Sequence, residues 1–264
     1  NQSQAKYIKN FKMKKIGFIH IPRTGGTYLE AVLEKLGPEK FINFFGTPES
    51  QIPNKIGLIE NINKDKKMCE RIKENPNWET ALLFSGHFSR NINDCVGDDN
   101  VKYITILRDP IQRVTSFVKK VTTSKRFKSI MMDGSEKIGD DIFWDNFIGY
   151  IESNDKRGLI SHERHGFSNY MVKVIAGLDL SQEKLVVDED VFQTAKKNLD
   201  NMVYVGLFEE YGKTVNDILE LFKIESKFND NGLKKSEIPE KAKKIITSLN
   251  QYDIKLYDYY KNKK

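Results

Sequence analysis

A glycine-containing loop near the start of the chain has residue types that can bind an anion. The run from Phe18 to Thr27 reads FIHIPRTGGT. Glycines let backbone N–H groups approach a ligand, and the N-terminus of a following helix adds N–H groups and partial positive charge. Arg23 adds a full charge, and Thr24 and Thr27 add hydroxyl groups. A phosphate or sulfate fits these donors, but a plain strand-to-helix turn with Thr27 as N-cap fits the spacing equally well.

A second polar group follows an apolar strand-like run. Val101–Leu107 is rich in β-branched residues, Arg108 comes directly after it, and Ser116 lies about two helical turns further on. Ligands of open α/β sheets bind at the carboxyl ends of the strands, where Arg108 is expected. Arg113 and Ser116 are three apart and can share a helix face. An exposed arginine paired with Asp109, and a solvated serine, would explain the same residues.

The chain has four histidines, and one of them is a candidate base. His87 follows the short strand-like run Ala81–Ser85. Its reference pKa of about 6.5 allows it to take a proton from a hydroxyl at neutral pH, although a histidine after a strand is often structural. We expect His20 to be buried and hydrogen-bonded. His162 and His165 either line an acceptor groove or belong to a polar loop.

The apolar pattern predicts the scaffold that positions these residues. Strands alternate with helices, which is typical of an α/β domain with a mostly parallel central sheet flanked by helices. We expect a single domain over residues 1–264, with its core in 13–264 and an N-terminal extension in 1–12. The predicted strands are Lys15–Ile21, Ala81–Ser85, Val101–Leu107 and Met202–Leu207, and the predicted helices are Thr27–Leu36, Ile59–Lys73, Pro110–Thr122, Asp141–Glu152, Phe167–Ala176, Asp190–Asn198, Glu209–Phe222 and Glu237–Tyr260.

The composition is that of a globular protein without a membrane-spanning segment. The 264 residues are 39% hydrophobic, and the net charge of +6 suits an anionic ligand, although surface lysines alone would produce it. Cys69 and Cys95 are expected to be reduced thiols, and we expect no metal site. We expect no nucleic-acid partner. The expected location is cytoplasmic. Because the sequence does not begin with Met, an N-terminal anchor could precede it, and the expected location would then be the Golgi lumen.

The two anion-binding segments together resemble the donor motifs of the sulfotransferase family. The first is similar to F-x-H-I-P-K-T-G-G-T, with Arg23 where the family usually has Lys. The second is similar to R-D-P-x-x-R-x-x-S. The loop and the G-H pair at His87 are most similar to the glycan-modifying branch, of the heparan sulfate 2-O/6-O type. Weaker resemblances to family motifs lie at Asn169–Gly177, Val205–Tyr211 and Asp253–Tyr260.

The resemblance implies a P-loop-like sulfotransferase fold and a donor, 3′-phosphoadenosine-5′-phosphosulfate (PAPS), whose sulfuryl group moves to an acceptor hydroxyl. It implies that Arg108 and Ser116 bind the 3′-phosphate, that His87 is the general base and that Arg23 helps to neutralise the departing phosphate. The residues that it implies for the phosphosulfate are Arg23, Thr24, Gly25, Gly26, Thr27 and Tyr28.

Two other functions are compatible with the sequence. A nucleotide-dependent phosphotransferase would need a Walker-type lysine, but Thr27 follows Gly26 where that motif has Lys. A non-catalytic protein that binds PAPS or an anionic glycan would share the donor motifs. We expect the acceptor to be a saccharide hydroxyl. A basic run could hold an anionic chain or be simply solvated, and it consists of Lys119, Lys120, Lys125, Arg126 and Lys128.

Overall fold

The structure is a computed structural model that describes residues 15–44, 74–90, 101–122, 166–180, 184–225 and 237–264, with a few single positions between them. Within these residues a five-stranded sheet has the order β2-β3-β1-β4-β5, and every pairing is parallel. The strands are β1 Ile16–Ile19, β2 Phe41–Asn43, β3 Leu83–Gly86, β4 Lys102–Leu107 and β5 Tyr204–Leu207. The predicted α/β fold class is confirmed.

Helices follow or connect these strands and pack on the sheet. Their bounds are α1 Gly26–Leu33, α2 Pro110–Thr122, α3 Tyr170–Ala176, α4 Glu189–Asp200, α5 Tyr211–Leu221, α6 Glu240–Leu249 and α7 Gln251–Lys263. Short 3-10 turns cover Glu34–Leu36 and Phe208–Glu210. Because all strands are parallel, their carboxyl ends meet at one edge of the sheet, and the loops that enter α1 and α2 both begin there.

Alternation of side chains along the strands divides the core between the two faces of the sheet. Phe18 and Ile104 contribute to one apolar cluster with helices α1 and α5. Ile19 and Tyr103 contribute to a second cluster with helices α3, α4 and α7. Since both faces are covered, the central strands are mostly apolar on both sides, which is why they were recognisable as continuous runs. A third cluster packs α2 against α6.

Two elements differ from the sequence prediction. Strand β2 was missed, because three residues are too few to show a period. The stretch Glu237–Tyr260, which was predicted to be helical, forms two helices: α6 ends at Leu249 and α7 starts at Gln251. The Asn250 side chain between them donates to the carbonyls of Phe167 and Ile246 at 2.8 and 2.9 Å, so tertiary contacts stabilise the break.

A reciprocal capping arrangement joins α3 to α7. The Asn169 side-chain oxygen accepts from the N–H groups of Tyr252 and Asp253 at 3.0 and 3.1 Å. The buried Asp253 carboxylate accepts from those of Met171 and Val172 at 3.1 and 2.8 Å. Each side chain therefore satisfies N–H groups in the first turn of the other helix, which have no acceptor within their own helix. Two sequence motifs 84 positions apart thus form one structural unit.

Candidate active site

The glycine loop runs from the end of β1 to the start of α1 and has a strained backbone. Arg23 has φ of 72° and Gly25 has φ of 87°. A left-handed conformation costs a non-glycine residue about 1 kcal/mol. At Arg23 both the backbone and the side chain are held: the carbonyl accepts from Arg108 Nη1 at 2.8 Å, and Nε donates to Ser116 Oγ at 2.9 Å.

Close packing explains why two glycines are required in this loop. A Cβ atom at Gly25 would lie 2.4 Å from the ring of Tyr211, whose hydroxyl donates to the Gly25 carbonyl at 2.5 Å. A Cβ at Gly26 would lie 2.2 Å from the His20 ring. Both distances are below any ordinary carbon contact, so each aromatic ring occupies the space that a side chain would need. The rings of Tyr211 and His20 therefore cover one side of the loop backbone.

Some of the loop residues that were predicted to bind the phosphosulfate are buried, and others are exposed. Thr24 is fully buried, and its hydroxyl donates to the Ile21 carbonyl at 2.8 Å, so that hydroxyl serves the loop itself. Thr27 and Tyr28 are exposed in the first turn of α1. The N–H groups of Gly26, Thr27 and Tyr28 precede the first intrahelical hydrogen bonds of α1, so they are available to an anion.

Arg108 lies at the end of β4 and contacts the loop. Its guanidinium stacks on the Phe208 ring at 4.3 Å, and the Glu209 carboxylate, which accepts from the Asp109 N–H at 2.8 Å, adds negative charge nearby. Burial lowers the pKa of Arg108 to about 10, and Glu209 opposes that shift, so the group stays charged at neutral pH. Its Nε is buried with no hydrogen-bond partner among the described residues.

Contacts through Arg23 join the glycine loop to the segment that follows β4. Arg108 binds the Arg23 backbone and Ser116 binds its side chain, although both are more than 80 positions further along the chain. Arg113, expected on the same face as Ser116, is instead fully buried and donates from Nη2 to the Gly166 carbonyl at 2.8 Å. Arg108, Arg23 and Ser116 therefore form a polar surface beside the glycine loop, and Arg113 holds α2 to the core.

His87 lies at the same edge of the sheet, one position after β3. It is half-buried, and its ring centroid is 4.5 Å from that of His20, with the planes at 74°. His20 is buried, as predicted, and its Nδ1 lies 3.0 Å from Glu30 Oε1. It lies one residue beyond β1 rather than inside the strand. The candidate base is thus adjacent to the residue that packs under Gly26.

Glu30 is a residue of this region that sequence reasoning missed. It is 3% exposed, and it accepts from Ser85 Oγ as well as interacting with His20. An acidic residue in the middle of a helix ordinarily faces water, and neither partner is near it in sequence. The nearest local signal was its position four residues after Gly26, which places both on one helix face.

Several predicted residues lie outside the described residues, namely His162, His165, Lys125, Arg126 and Lys128, so their roles stay predictions. Lys119 and Lys120 lie toward the C-terminal end of α2, half-buried and exposed respectively. In the ranges that the structure describes, no group of three or more His, Cys, Asp or Glu side chains could hold a metal ion. No helix in those ranges is long and apolar enough to cross a membrane.

Comparison with known proteins agrees with the motifs. The model of the Sulfotransferase family matches residues 8–260. The chain therefore belongs to the sulfotransferase family. Heparan-sulfate 6-O-sulfotransferase 3 of Homo sapiens is 29% identical over 184 residues, which are 62% of this chain and 38% of that protein. Heparan-sulfate 6-O-sulfotransferase 2 of Gallus gallus is 26% identical over 184 residues, covering 62% and 44%.

This chain spans less than half the length of either relative. A crystal structure of a sulfotransferase from Alicyclobacillus acidocaldarius aligns with 95% of this chain and 96% of that one, at 14% identity and a TM-score of 0.48.

Proposed function

We propose that this protein transfers a sulfuryl group from PAPS to a hydroxyl group of a saccharide chain. The observation that carries the proposal is the meeting of three features at one edge of the sheet. These are the glycine loop after β1, the Arg108–Arg23–Ser116 contacts after β4, and His87 after β3. Each supplies a different requirement of the reaction, and β1 pairs directly with both of the other strands.

The donor set matches a nucleotide with two separate anionic groups. The first-turn N–H groups of α1, the Thr27 hydroxyl and the Arg23 guanidinium suit the 5′-phosphosulfate. Arg108 and Ser116 suit the 3′-phosphate, and the buried, unpartnered Nε of Arg108 among the described residues is a donor that such a phosphate would satisfy. Arg23 contacts both Arg108 and Ser116, so the two subsites would be adjacent.

Residues of this chain would then assist an in-line displacement. His87 would accept the proton of the acceptor hydroxyl as its oxygen bonds to sulfur. The bond between sulfur and the bridging phosphate oxygen breaks, and adenosine 3′,5′-bisphosphate leaves with the electron pair. Arg23 and the α1 N–H groups would stabilise the charge that develops on that phosphate.

The names of the relatives support a saccharide acceptor. Those named above are heparan-sulfate 6-O-sulfotransferases, so a heparan-sulfate-like chain is the first acceptor to test.

The test is transfer of radiolabelled sulfate from PAPS to desulfated heparin, tyrosine peptides and simple phenols, in excess chelator. We expect labelled saccharide, and His87→Ala should lower turnover at least about a hundredfold, the usual contribution of general-base catalysis. Its affinity for adenosine 3′,5′-bisphosphate should be unchanged. Transfer only to peptides or phenols would refute the saccharide acceptor. Donor binding without transfer to any acceptor would favour the non-catalytic alternative, and a strict need for Mg²⁺ would favour the phosphotransferase.

A further inference from the structure

A buried acid lies behind the candidate site and touches both strands that end there. Glu30, in the second turn of α1, is 3% exposed. One of its oxygens, Oε1, lies 3.0 Å from His20 Nδ1 and also accepts from Ser85 Oγ. Burial of a carboxylate is unfavourable unless hydrogen bonds compensate for lost hydration. Glu30 therefore depends on these two partners for its place in the core.

The two partners come from neighbouring strands, near the carboxyl ends of β1 and β3. Phe18 pairs with Ser85 and Ile19 with Gly86, and the His20 N–H donates to the Gly86 carbonyl at 3.0 Å. Continued by one residue, this register places His20 beside His87, which agrees with their ring contact at 4.5 Å. Ser85 is two positions before His87. Glu30 thus binds the strand end that carries the candidate base.

The same helix turn also fixes the phosphosulfate loop. Gly26 and Glu30 are four apart, so they lie on one face of α1. The His20 ring lies against Gly26, where a Cβ would be 2.4 Å from Nε2, while Nδ1 on the other side faces Glu30. The ring is held between the N-terminal turn of α1 and the Glu30 carboxylate. Through His20, the position of the loop is coupled to the position of His87.

We propose that Glu30 is a positioning residue that sets the distance and angle between His87 and the N-terminus of α1. This inference rests on the proposed function, in which His87 takes the acceptor proton and the α1 N–H groups bind the leaving phosphate. In an in-line displacement these two groups act on opposite sides of the sulfur atom. A misplacement of about 1 Å can lower the rate about a hundredfold. Glu30 controls this geometry while contacting neither substrate.

The decisive variant is Glu30→Gln, which keeps the shape and one acceptor oxygen but removes the negative charge. Single-turnover transfer at saturating PAPS should fall about ten- to a hundredfold. Affinity for adenosine 3′,5′-bisphosphate, measured by calorimetry, should change less than about threefold, because the donor groups of the loop are retained. Glu34→Gln is the matched control, since Glu34 is exposed and lies four residues further on, in the 3-10 turn that follows α1. It should behave like the wild type.

A double-mutant cycle distinguishes positioning from general support of the fold. If Glu30 acts through His87, Glu30→Gln should lower the residual rate of His87→Ala less than about twofold, although it slows the wild type strongly. An equal loss in both backgrounds would overturn the proposal. So would a loss of nucleotide affinity that matched the loss of rate.

A failure of the proposed function can be distinguished from a failure of the Glu30 proposal. If His87 is not the base, His87→Ala alone should keep most of its activity, regardless of the result for Glu30→Gln. If Glu30→Gln does not fold, Ser85→Ala removes only the link to β3, and the same cycle applies. A wild-type rate in soluble Ser85→Ala would overturn the proposal.

Discussion

Arg108 should distinguish a nucleotide with a 3′-phosphate from one without it. Its Nη1 already donates to the Arg23 carbonyl, so Nε and Nη2 are left for a ligand. A hydrogen bond from a charged group contributes about 1.5–3 kcal/mol. Because Arg108 is only half-buried, we take the lower end for each of two bonds, about 3 kcal/mol in total. At 1.4 kcal/mol per factor of ten, this is an affinity ratio of about 100.

The perturbation is Arg108→Ala, measured by calorimetry with adenosine 3′,5′-bisphosphate and adenosine 5′-monophosphate. The variant also releases the Arg23 carbonyl, and this effect should weaken both nucleotides by up to about tenfold. The bisphosphate should lose about a further hundredfold, so the ratio of the two affinities is the quantity to follow. The pKa of Arg108, lowered by burial to about 10, is far enough above neutrality for full charge in the assay.

Two controls belong to this experiment. Arg108→Lys keeps the charge without the planar fork, and should retain part of the discrimination. Lys102→Ala removes a cation from the opposite end of β4 and should change neither affinity. If Arg108→Ala weakened both nucleotides by the same factor, the assignment of Arg108 to the 3′-phosphate would be refuted, and its role would be to support the loop.

Two further predictions concern packing and stability. Gly26→Ala should lower the free energy of unfolding by about 1–3 kcal/mol in urea denaturation, because its Cβ would lie 2.2 Å from an imidazole carbon. Gly149→Ala is the control, since a Cβ added there would have no contact within 4 Å beyond its own helix, and its free energy of unfolding should be within about 0.5 kcal/mol of the wild type. Asp253→Asn should lower the same free energy by about 2–4 kcal/mol, since it removes one acceptor from the first turn of α3 and the charge that stabilises buried Arg113. Exposed Asp258→Asn on the same helix should change it little, and equal losses in Asp253→Asn and Asp258→Asn would contradict this reasoning.

The fold class and the family could be predicted because their signals are local. The strand-like runs around Ile16 and Ile104 are continuous in sequence, and a sheet buried on both faces requires continuous apolar runs. Glycine at 25 and 26, and Arg108 at a strand end, occupy recognisable positions relative to those strands. The family membership followed from the same short strings, and the match over residues 8–260 confirms it.

The boundary between α6 and α7, and the pairing of α3 with α7, depend on contacts between residues that are far apart in sequence. The break at Asn250 is stabilised by the carbonyls of Phe167 and Ile246, and the exchange of caps between Asn169 and Asp253 spans 84 positions. None of these partners lies in the same short stretch of sequence as the residue that it contacts, except Ile246. The division of the helical stretch at Asn250 into α6 and α7 therefore has a tertiary cause.

The sequence by itself determined the fold class and the family, because short-range periodicity and residue type encode these properties. Only the tertiary structure decided which polar groups are internal and which are available to a ligand. Thr24 has the same hydroxyl donor as Thr27, and Arg113 has the same guanidinium as Arg108. Thr24 and Arg113 are nevertheless buried, and both donate to carbonyls of the chain. The physical reason is that a donor's availability depends on burial and on partners that the fold brings from distant positions.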